Sequence, residues 1–545
     1  MMRFFLTLAF VLAFEARTTT AAEQFDVVVY GGTAGGAAAA IQAKRMGRSV
    51  VLIEPSNHLG GMTTGGLGAT DIGAKTSIGG IAREFYGRIY THYLQPGAWQ
   101  HETRATYLPK HPDNITESLK LHWFFEPKVA DVTLRKMLEE SGAVVVLGER
   151  LNRQTGVSKA GQRITAIRME SGREFAGRVF IDCTYEGDLM AAAGVRYTVG
   201  RESNSQYGET FNGIRPMQPD KSFGVDPFII PGDRASGTLP GVDAAAPGES
   251  GAGDSRVQAY TFRLCLTDVP ENRVKVEKPA GFDPQRFELV ARLVQAHPQV
   301  RPGKMLFKLT PLPNRKTDSN NLGSFSTDFV NYSHGWAEAS YAARDTMWQE
   351  HRTHVQGLLW FLGNDPRVPE PIREDVSRWV LARDEFTASA HWPPQLYVRE
   401  ARRMLGRHVV TEHDCTAKLV VDDPIGLASY PMDSHQVTRF ADEEGRLRLE
   451  GAFLQKVRPY GVSYKAITPE ARECTNLLVP VCLSASHVAY GSIRMEPVFM
   501  ILAQSAATAA SLAIDGDLDV QAVSAEALRT RLEQDGQILK LPKSK

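Results

Sequence analysis

The first part of the chain alternates apolar strands with a helix. Residues 25–30 (FDVVVY) form a short β-branched run that ends in the glycine cluster GGTAGG. An alanine-rich stretch, AAAAIQAKRMG, then favours a helix ending at Gly47. A second strand, SVVLIEP, follows this helix. Strand, glycine turn, helix and strand within about thirty residues predict a βαβ unit with parallel strands.

Further along the chain, the apolar pattern predicts another helix and several more strands. DVTLRKMLEESG predicts a helix with a glycine stop, AVVVLGERL predicts a strand, and residues 163–184 alternate as short strands. This order predicts a parallel sheet with a small antiparallel sheet. Much later, EPVFMILAQSAATAASLAI is almost wholly apolar or small, so we expect a helix that is buried on all sides.

The middle of the chain has a different character. Residues 205–255 are rich in Gly, Pro, Ser and Asp, which is typical of surface loops. Residues 256–465 are mixed in pattern and rich in aromatic side chains, without an internal repeat. We expect this stretch to form a second unit that covers a substrate.

Composition limits the possible functions. At 545 residues, the chain is too long for one hydrophobic core, so two or three structural units are expected. Its 43% hydrophobic and 23% charged residues are ordinary for a globular protein. Lys+Arg and Asp+Glu are equal at 62 each, which provides no basic field, so no nucleic-acid partner is expected.

The N-terminus has the pattern of a secretory signal peptide. Arg3 precedes an apolar run from Phe4 to Phe14, and small residues follow near Ala21 and Ala22. The run is shorter than the ~20 residues that span a bilayer, and we expect no other apolar stretch to be long enough. The sequence therefore predicts a secreted or periplasmic protein whose mature chain does not insert into a membrane. A buried N-terminal helix is the alternative.

The cysteines indicate neither a metal site nor a disulfide framework. Five cysteines are few for so large an exported protein, and none has a CxxC or zinc-type spacing. We expect buried, apolar side chains and no bound metal.

The glycine turn carries a dinucleotide pattern. Gly31 and Gly36 occupy the tight turn and the helix–sheet contact, with Gly32 beside them and Thr33 in place of the usual middle glycine. Glu54, 23 residues after Gly31, stands at the end of the second strand, where an acid binds ribose hydroxyls. An acid at this point also argues against a 2′-phosphorylated nucleotide.

Two further segments favour FAD over NAD. NHLGGMTTGGLGATD, at 57–71, is similar to the loop with which flavoproteins approach the flavin, so Gly60, Gly61 and Met62 are candidate cofactor contacts. VFIDCTYEGDLMAAAGVRYTVGRE, at 179–202, is similar to their second nucleotide motif. By that similarity Asp188, after Gly187, holds the ribityl chain, whereas Asp182 supports the turn.

These segments, with HWPPQLYVREARRMLG, ASYPMDSHQVTR and SASHVAYGSIRMEP, resemble the exported bacterial branch of the FAD-dependent oxidoreductase family. The resemblance covers residues 25–513 and implies an α/β Rossmann-like FAD-binding domain plus a discontinuous mixed α+β substrate domain. The implied divisions are a signal peptide (1–22), the FAD-binding domain in two parts (23–205 and 471–515), a substrate or cap domain (206–470) and a C-terminal extension (516–545).

The long C-terminal helix has a physical reason to return to the cofactor. Reduced flavin develops negative charge, which a helix N-terminus stabilises. Arg494 and Met495 precede this helix, and Pro497 suits its first turn. We therefore include Arg494 and Met495 among the candidate cofactor contacts.

The candidate catalytic residues come from the resembling segments. His435 and His487 are suited to accept a substrate proton at neutral pH, although either is equally compatible with a structural role. Arg399 and Arg494, with Glu400, are candidates for orienting an anionic or polyhydroxylated substrate, or for fixing two domains. Tyr464 and Lys465 are weaker candidates for pocket lining.

The predicted function is an FAD-dependent dehydrogenase or oxidase that transfers a hydride from a small molecule to flavin N5. A sugar or sugar derivative is one candidate substrate, and the sequence does not identify the electron acceptor. Two alternatives stay open at this point: an NAD-dependent dehydrogenase, and a non-catalytic binding protein on a degenerate flavin fold. Thr33 keeps the second alternative open.

Overall fold

The fold is known from a computed structural model that describes residues 22–215 and 223–541. The predicted signal peptide falls outside the described residues except for Ala22. All five cysteines are buried with free thiols, as expected.

The N-terminal part contains the predicted βαβ unit and two more helices. Its main elements are β1 (Glu23–Tyr30), α1 (Ala34–Arg45), β2 (Val50–Glu54), α2 (Gly80–His92), α3 (Pro127–Ser141), β3 (Val144–Leu147), β4 (Val157–Ala160), β5 (Arg163–Arg168) and β6 (Glu174–Asp182). The helix α3 begins four residues before the predicted one because Pro127 occupies its first turn, where no N–H is needed. It ends at Gly142, whose φ of 70° forms a left-handed cap.

The central part contains a second, antiparallel sheet and a long helix. Its main elements are β7 (Leu264–Thr267), β8 (Arg273–Val274), α4 (Glu288–Ala296), β9 (Phe307–Leu312), β10 (Lys316–Asn321), α5 (Tyr341–Asn364), α6 (Glu370–Arg378) and β11 (Val380–Ala382). The strand order is β8-β11-β7-β10-β9. Short strand pairs surround this sheet: Tyr197–Thr198 with Arg403–Met404, Pro424–Ala428 with Tyr460–Ser463, Met432–Ser434 with Phe453–Gln455, and Thr438–Ala441 with Leu447–Glu450.

The C-terminal part returns to the first sheet. Its elements are β12 (Leu477–Leu478), α7 (His487–Ile493), α8 (Glu496–Gly516) and α9 (Ala525–Gln534). The first sheet has the order β3-β2-β1-β6-β5-β4, and β12 pairs in parallel with β6. The strands β3, β2, β1 and β6 are also parallel, whereas β5 and β4 continue from β6 as an antiparallel hairpin. This mixed sheet agrees with the predicted α/β class.

The sheet places three predicted segments at one edge. Tyr30, the last residue of β1, pairs with Ile53 of β2 and with Asp182 of β6. The carboxyl ends of the parallel strands therefore meet there, and ligands bind at that edge in open α/β sheets. The glycine turn, Glu54 and the loop after Asp182 lie together as a result.

The helix α8 is the central helix of the core. The expectation that no second apolar run could span a membrane is wrong: among the described residues, α8 is long and apolar enough, with a mean hydropathy of 1.6. In the fold, 94% of that apolar window is buried inside the protein. Its small residues pack against α1, where a methyl group on Gly35 would lie 3.2 Å from the Phe499 carbonyl oxygen and 3.5 Å from Ala503.

The tight contact between α1 and α8 leads to a stability prediction. Ala503 is fully buried at this contact, so Ala503→Leu should lower the free energy of unfolding by about 1–3 kcal/mol through overpacking. Ala527→Leu, on the exposed face of α9, is the matched control and should change it little. Urea unfolding followed by circular dichroism measures both, and equal stability of the two variants would contradict the packing described.

Candidate active site

A cleft of about 260 Å³ lies at the carboxyl edge of the first sheet, close to the lower end of the ~300–1,000 Å³ range typical of ligand sites. The sheet contributes residues from the glycine turn, the end of β2 and the loop after β6, and the central part contributes residues from α5 and its surroundings. The lining includes Gly31, Thr33, Glu54, Ser56, Gly61, Arg150, Thr184, Tyr185, Glu186, Asp188, Trp336, Tyr341, Arg344, Asp345, Gln395 and Leu396.

The glycine turn has no room for side chains. Gly31 has a φ of 105°, and a methyl group on it would overlap the backbone of Cys183 and Thr184. A methyl group on Gly36 would overlap the carbonyl oxygen of Gly31. Both positions therefore require glycine, as the sequence predicted.

Thr33 has a defined role in this turn. Its hydroxyl accepts a hydrogen bond from the Gly36 N–H at 3.1 Å, which caps α1, and donates to the Cys183 carbonyl at 2.9 Å. The hydroxyl thus connects the turn to β6. The missing middle glycine is therefore no sign of a degenerate site.

Glu54 stands at the end of β2, as predicted. Its carboxylate accepts hydrogen bonds from the N–H of Gly32 at 2.6 Å and of Ser56 at 2.8 Å, and it lines the cleft. Burial raises the pKa of this carboxyl. A contact between Glu54 and the ribose stays a prediction.

The glycine loop after β2 is fastened to the start of α8. Gly60 and Gly61 have positive φ values of 93° and 52°, and the Met62 N–H donates to the Tyr185 hydroxyl at 2.9 Å. The Tyr185 hydroxyl in turn donates to Glu496 at 2.7 Å. The Thr63 hydroxyl donates to the second oxygen of the same carboxyl at 2.7 Å.

The start of α8 therefore reaches the predicted flavin loop, as expected. The contact is made by Glu496, whose pKa is raised to about 7 by burial. Met495 is the capping residue of α8 and is buried. Sequence reasoning missed Tyr185 and Glu496, although a lone carboxylate at the start of an apolar helix was a usable signal.

Asp188 has partners that the sequence did not predict. Its carboxylate accepts hydrogen bonds from Arg344 at 2.6 and 3.0 Å, from Arg402 at 2.8 Å and from Arg153 at 3.2 Å. Although burial opposes ionisation, these guanidinium groups keep the pKa of Asp188 below its usual value. A contact with the ribityl chain stays a prediction. Asp182 accepts from Thr184 and Met190, which is the supporting role expected for it.

The structure brings the predicted catalytic residues into one network. His435 Nδ1 lies 2.7 Å from an Asp328 carboxylate oxygen, and Arg399 lies 3.0 Å from the same carboxylate. Arg494 binds Asp433 at 2.7 Å, and His435 Nε2 lies 3.5 Å from Asp433.

Gln258 connects this network to the second histidine. Its side-chain oxygen accepts from the His435 N–H at 3.2 Å and from Arg494 at 3.3 Å. Its amide nitrogen donates to Glu400 at 3.1 Å, and Glu400 lies 2.7 Å from His487 Nδ1. Gln258 carried no sequence signal because its partners are distant in the chain.

The two histidines differ in exposure. The His487 side chain is 1% exposed, whereas that of His435 is 17% exposed and lies beside the partly exposed Asp433. Only His435 of the pair is therefore accessible to a molecule from solvent.

The end of the glycine loop approaches the same network. Asp71 lies 3.3 Å from Arg263, which also binds the buried Asp318 at 2.7 Å. The negative charge of Asp71 is the largest cause of a raised pKa of Tyr430, and burial of Tyr430 is the next largest. Arg494 also donates to the Tyr397 hydroxyl at 3.1 Å. The Ala74 N–H, just after the glycine loop, donates to the Ser429 hydroxyl at 2.8 Å, so the chain that follows this loop contacts the segment that leads to Asp433 and His435.

The prediction that Tyr464 and Lys465 line the pocket is wrong. The Tyr464 hydroxyl donates to the Val520 carbonyl at 2.7 Å, and Lys465 lies 3.6 Å from Asp422. Both residues belong to a surface depression beside α9, because the turn at 464–467 faces the C-terminal segment instead of the cleft.

A separate group of three carboxylates surrounds a lysine. Glu126, Asp384 and Glu385 lie close enough together to hold an ion. The Lys316 ammonium lies 2.8, 2.7 and 2.5 Å from their oxygens. Lys128 also pairs with Asp384, and burial raises the pKa of Glu385 to about 7, so two cations face three carboxylates, one of which is partly protonated at neutral pH. The cluster is therefore explained as a buried ion-pair group.

Comparison with known proteins identifies a family match over nearly the whole chain. The profile described as FAD dependent oxidoreductase matches residues 26–532. No curated protein matches the sequence.

Matches to solved structures cover only about a third of this chain. OxyS anhydrotetracycline hydroxylase from Streptomyces rimosus is 16% identical, with a TM-score of 0.21, over 33% of this chain and 36% of its own. L-Proline dehydrogenase from P. horikoshii is 14% identical, with a TM-score of 0.23, over 33% and 59%. The 3-ketosteroid dehydrogenase from Rhodococcus jostii RHA1 is 18% identical, with a TM-score of 0.19, over 33% and 50%. Each match thus spans less than two thirds of the solved chain.

The crowded glycine turn leads to a binding prediction. Gly36→Ala should abolish flavin retention, because its methyl group would displace the Gly31 carbonyl and with it the turn. Gly97→Ala, at an exposed glycine with nothing within 4 Å of the added carbon, is the control and should keep the wild-type flavin content. The ratio of flavin absorbance in the visible range to protein absorbance in the ultraviolet measures flavin occupancy. A folded Gly36→Ala protein with full flavin would refute the assignment.

Proposed function

Because the chain belongs to the FAD-dependent oxidoreductase family, with FAD as its cofactor, we propose that it oxidises a small hydroxylated molecule with His435 as the proton acceptor. When bound, FAD supplies the hydride acceptor. A sugar or sugar derivative is the substrate class that we propose. The family membership removes the support for an NAD-dependent enzyme.

The cofactor cleft fits this family. The glycine turn leaves no space for side chains beside the start of α1, and Glu54 lines the cleft at the end of β2. These two features suit the pyrophosphate and the adenosine ribose of FAD. The residues expected to hold the flavin end are those of the loop from Gly60 to Met62, which Tyr185 fastens in place.

The His435–Asp328 pair is the observation that carries the proposal. The 2.7 Å hydrogen bond to Asp328 places the proton of a neutral imidazole on Nδ1. Nε2, which lies 3.5 Å from an Asp433 oxygen, is then the atom that would accept a proton from a substrate hydroxyl. Although burial opposes ionisation, Arg399 and His435 hold the pKa of Asp328 below its usual value. A charged Asp328 would stabilise the imidazolium formed after proton transfer.

The polar groups around His435 favour a substrate with hydroxyl groups. Asp433, 3.5 Å from His435, and Asp71, which pairs with Arg263 at the end of the glycine loop, are partly exposed, with side-chain exposures of 18% and 26%. Carboxylates accept hydrogen bonds from hydroxyls. Arg494 is buried and bound to Asp433. It therefore supports the site by holding this carboxylate, while a negatively charged substrate would meet two aspartates first.

We assign His487 a positioning role. Its Nδ1 contacts Glu400, and Glu400 accepts from Gln258, whose oxygen binds the His435 backbone N–H. This chain of contacts supports an indirect effect on His435. A role as proton acceptor would need exposure that His487 lacks.

The proposed base can be tested by flavin reduction. His435→Ala should retain its yellow colour but should be reduced about 10²–10⁴ times more slowly, the range that positioned proton transfer supplies. Anaerobic stopped-flow absorbance would follow the reaction with whichever sugar or polyol of a panel reduces the wild type. His408→Ala removes a different histidine–aspartate pair, with Asp414 at 2.8 Å, and should reduce at the wild-type rate. Equal rates for His435→Ala and the wild type would place the base elsewhere.

We also propose that the protein is exported and that its mature chain does not insert into a membrane. The support is the N-terminal sequence, with Arg3 before the apolar run Phe4 to Phe14. When the full chain is expressed in a bacterium with an outer membrane, the protein should fractionate with the periplasm or medium and begin near residue 23. Deletion of residues 4–14 should keep it in the cytoplasm. A full-length chain in the wild-type cytoplasm would contradict the proposal.

A further inference from the structure

Arg344 connects the central part of the chain to the cofactor cleft. It lies in the first turn of α5, which the dinucleotide motifs do not include, and it is only 6% exposed. Its side chain lines the same cleft as Gly31, Thr33 and Thr184. A buried cation thus shares the space that the glycine turn opens.

Three arginines around the cleft share the carboxylate of Asp188. Arg344 and Arg153 have Asp188 as their one carboxylate partner within 4 Å in the described part of the chain, whereas Arg402 also pairs with Glu338. Two guanidinium groups therefore depend on a single carboxylate.

One other carboxyl group in the cleft faces this cluster. Glu186 accepts a hydrogen bond from the Trp336 indole at 3.1 Å, and burial raises its pKa. Among the described residues no ion pair within 4 Å joins Glu186 to an arginine, so it compensates the arginines only in part. On the other side, Arg150 and Asp345 neutralise each other at 2.9 Å.

The guanidinium of Arg344 is held in a fixed orientation. Its Nε donates to the Trp336 carbonyl at 2.9 Å, and its Nη2 donates to Asp188 at 3.0 Å and to the Ala337 carbonyl at 2.7 Å. Its Nη1 donates to Asp188 at 2.6 Å. Of its five N–H groups, one on Nη1 has no acceptor among the described residues.

We propose that Arg344 binds the pyrophosphate of FAD and supplies the positive charge that the glycine turn lacks. The turn offers backbone dipoles, whereas the pyrophosphate carries full negative charges that a buried, pre-oriented guanidinium matches. Asp188 is then a positioning residue that holds Arg344. Cofactor binding and docking of α5 on the first sheet thereby depend on each other. This inference rests on FAD as the cofactor and is independent of the reaction proposed above.

The test compares two arginines that share Asp188. Arg344→Gln removes the cation that lines the cleft. Arg402→Gln removes a cation that also binds Asp188 but does not line the cleft. The full mature chain, stripped of flavin, is titrated by calorimetry with FAD, with ADP and with riboflavin, which has no phosphate. Circular dichroism verifies that each variant is folded.

We expect Arg344→Gln to weaken FAD and ADP binding roughly ten- to hundredfold, the effect of one lost charge-assisted hydrogen bond, and to leave riboflavin binding within about twofold. Arg402→Gln should change the affinities for the three ligands equally. Equal weakening of FAD and riboflavin by Arg344→Gln would assign Arg344 a purely structural role and overturn the proposal. Unchanged FAD and ADP binding would overturn it as well.

A second variant keeps the test decisive if Arg344→Gln does not fold. Arg344→Lys keeps the charge but cannot bind Asp188 and a phosphate together. The ratio of the dissociation constants for FAD and riboflavin should then rise about threefold or more. An unchanged ratio would overturn the proposal. Loss of substrate oxidation in a variant that binds FAD normally would concern the proposed reaction alone.

Discussion

The close packing of α1 against α8 is the constraint on which the rest of the structure depends. Gly35 allows the backbone of α1 to approach Phe499, and the small residues of α8 fill the space that larger side chains would need. This contact joins segments more than 450 residues apart, as the Gln42–Thr508 hydrogen bond also shows. Because α8 begins at the glycine loop, the same packing positions Glu496 against Thr63 and Tyr185.

Buried ion pairs then fasten the central part to this core. Arg344 with Asp188 connects α5 to the first sheet. The pairs Arg399–Asp328 and Arg494–Asp433 flank His435. Buried charges cost several kcal/mol each to desolvate, so such pairs are weak contributors to stability. We infer that these pairs serve to orient side chains: Asp188 holds Arg344 at the cleft, and the two arginines hold Asp328 and Asp433 beside His435.

The network also distinguishes two histidines that look equivalent in sequence. His435 and His487 each contact a carboxylate at 2.7 Å. Only their surroundings differ: His435 is partly open to solvent beside Asp433, and His487 is enclosed by the protein. Their different roles in the proposed mechanism follow from exposure, which a local sequence pattern does not contain.

Local sequence patterns were sufficient to predict the βαβ unit, the two required glycines, the acid at the end of β2 and the burial of the long apolar helix. These features depend on periodicity and on residues within about thirty positions of one another, so local patterns express them. The folded chain alone reveals that Thr33 donates to the Cys183 carbonyl, that Asp188 binds three arginines and that Gln258 joins the two histidines. Their partners lie far away, as with Arg344, 156 positions from Asp188. The identity of such partners depends on how the whole chain packs, and no local pattern records it.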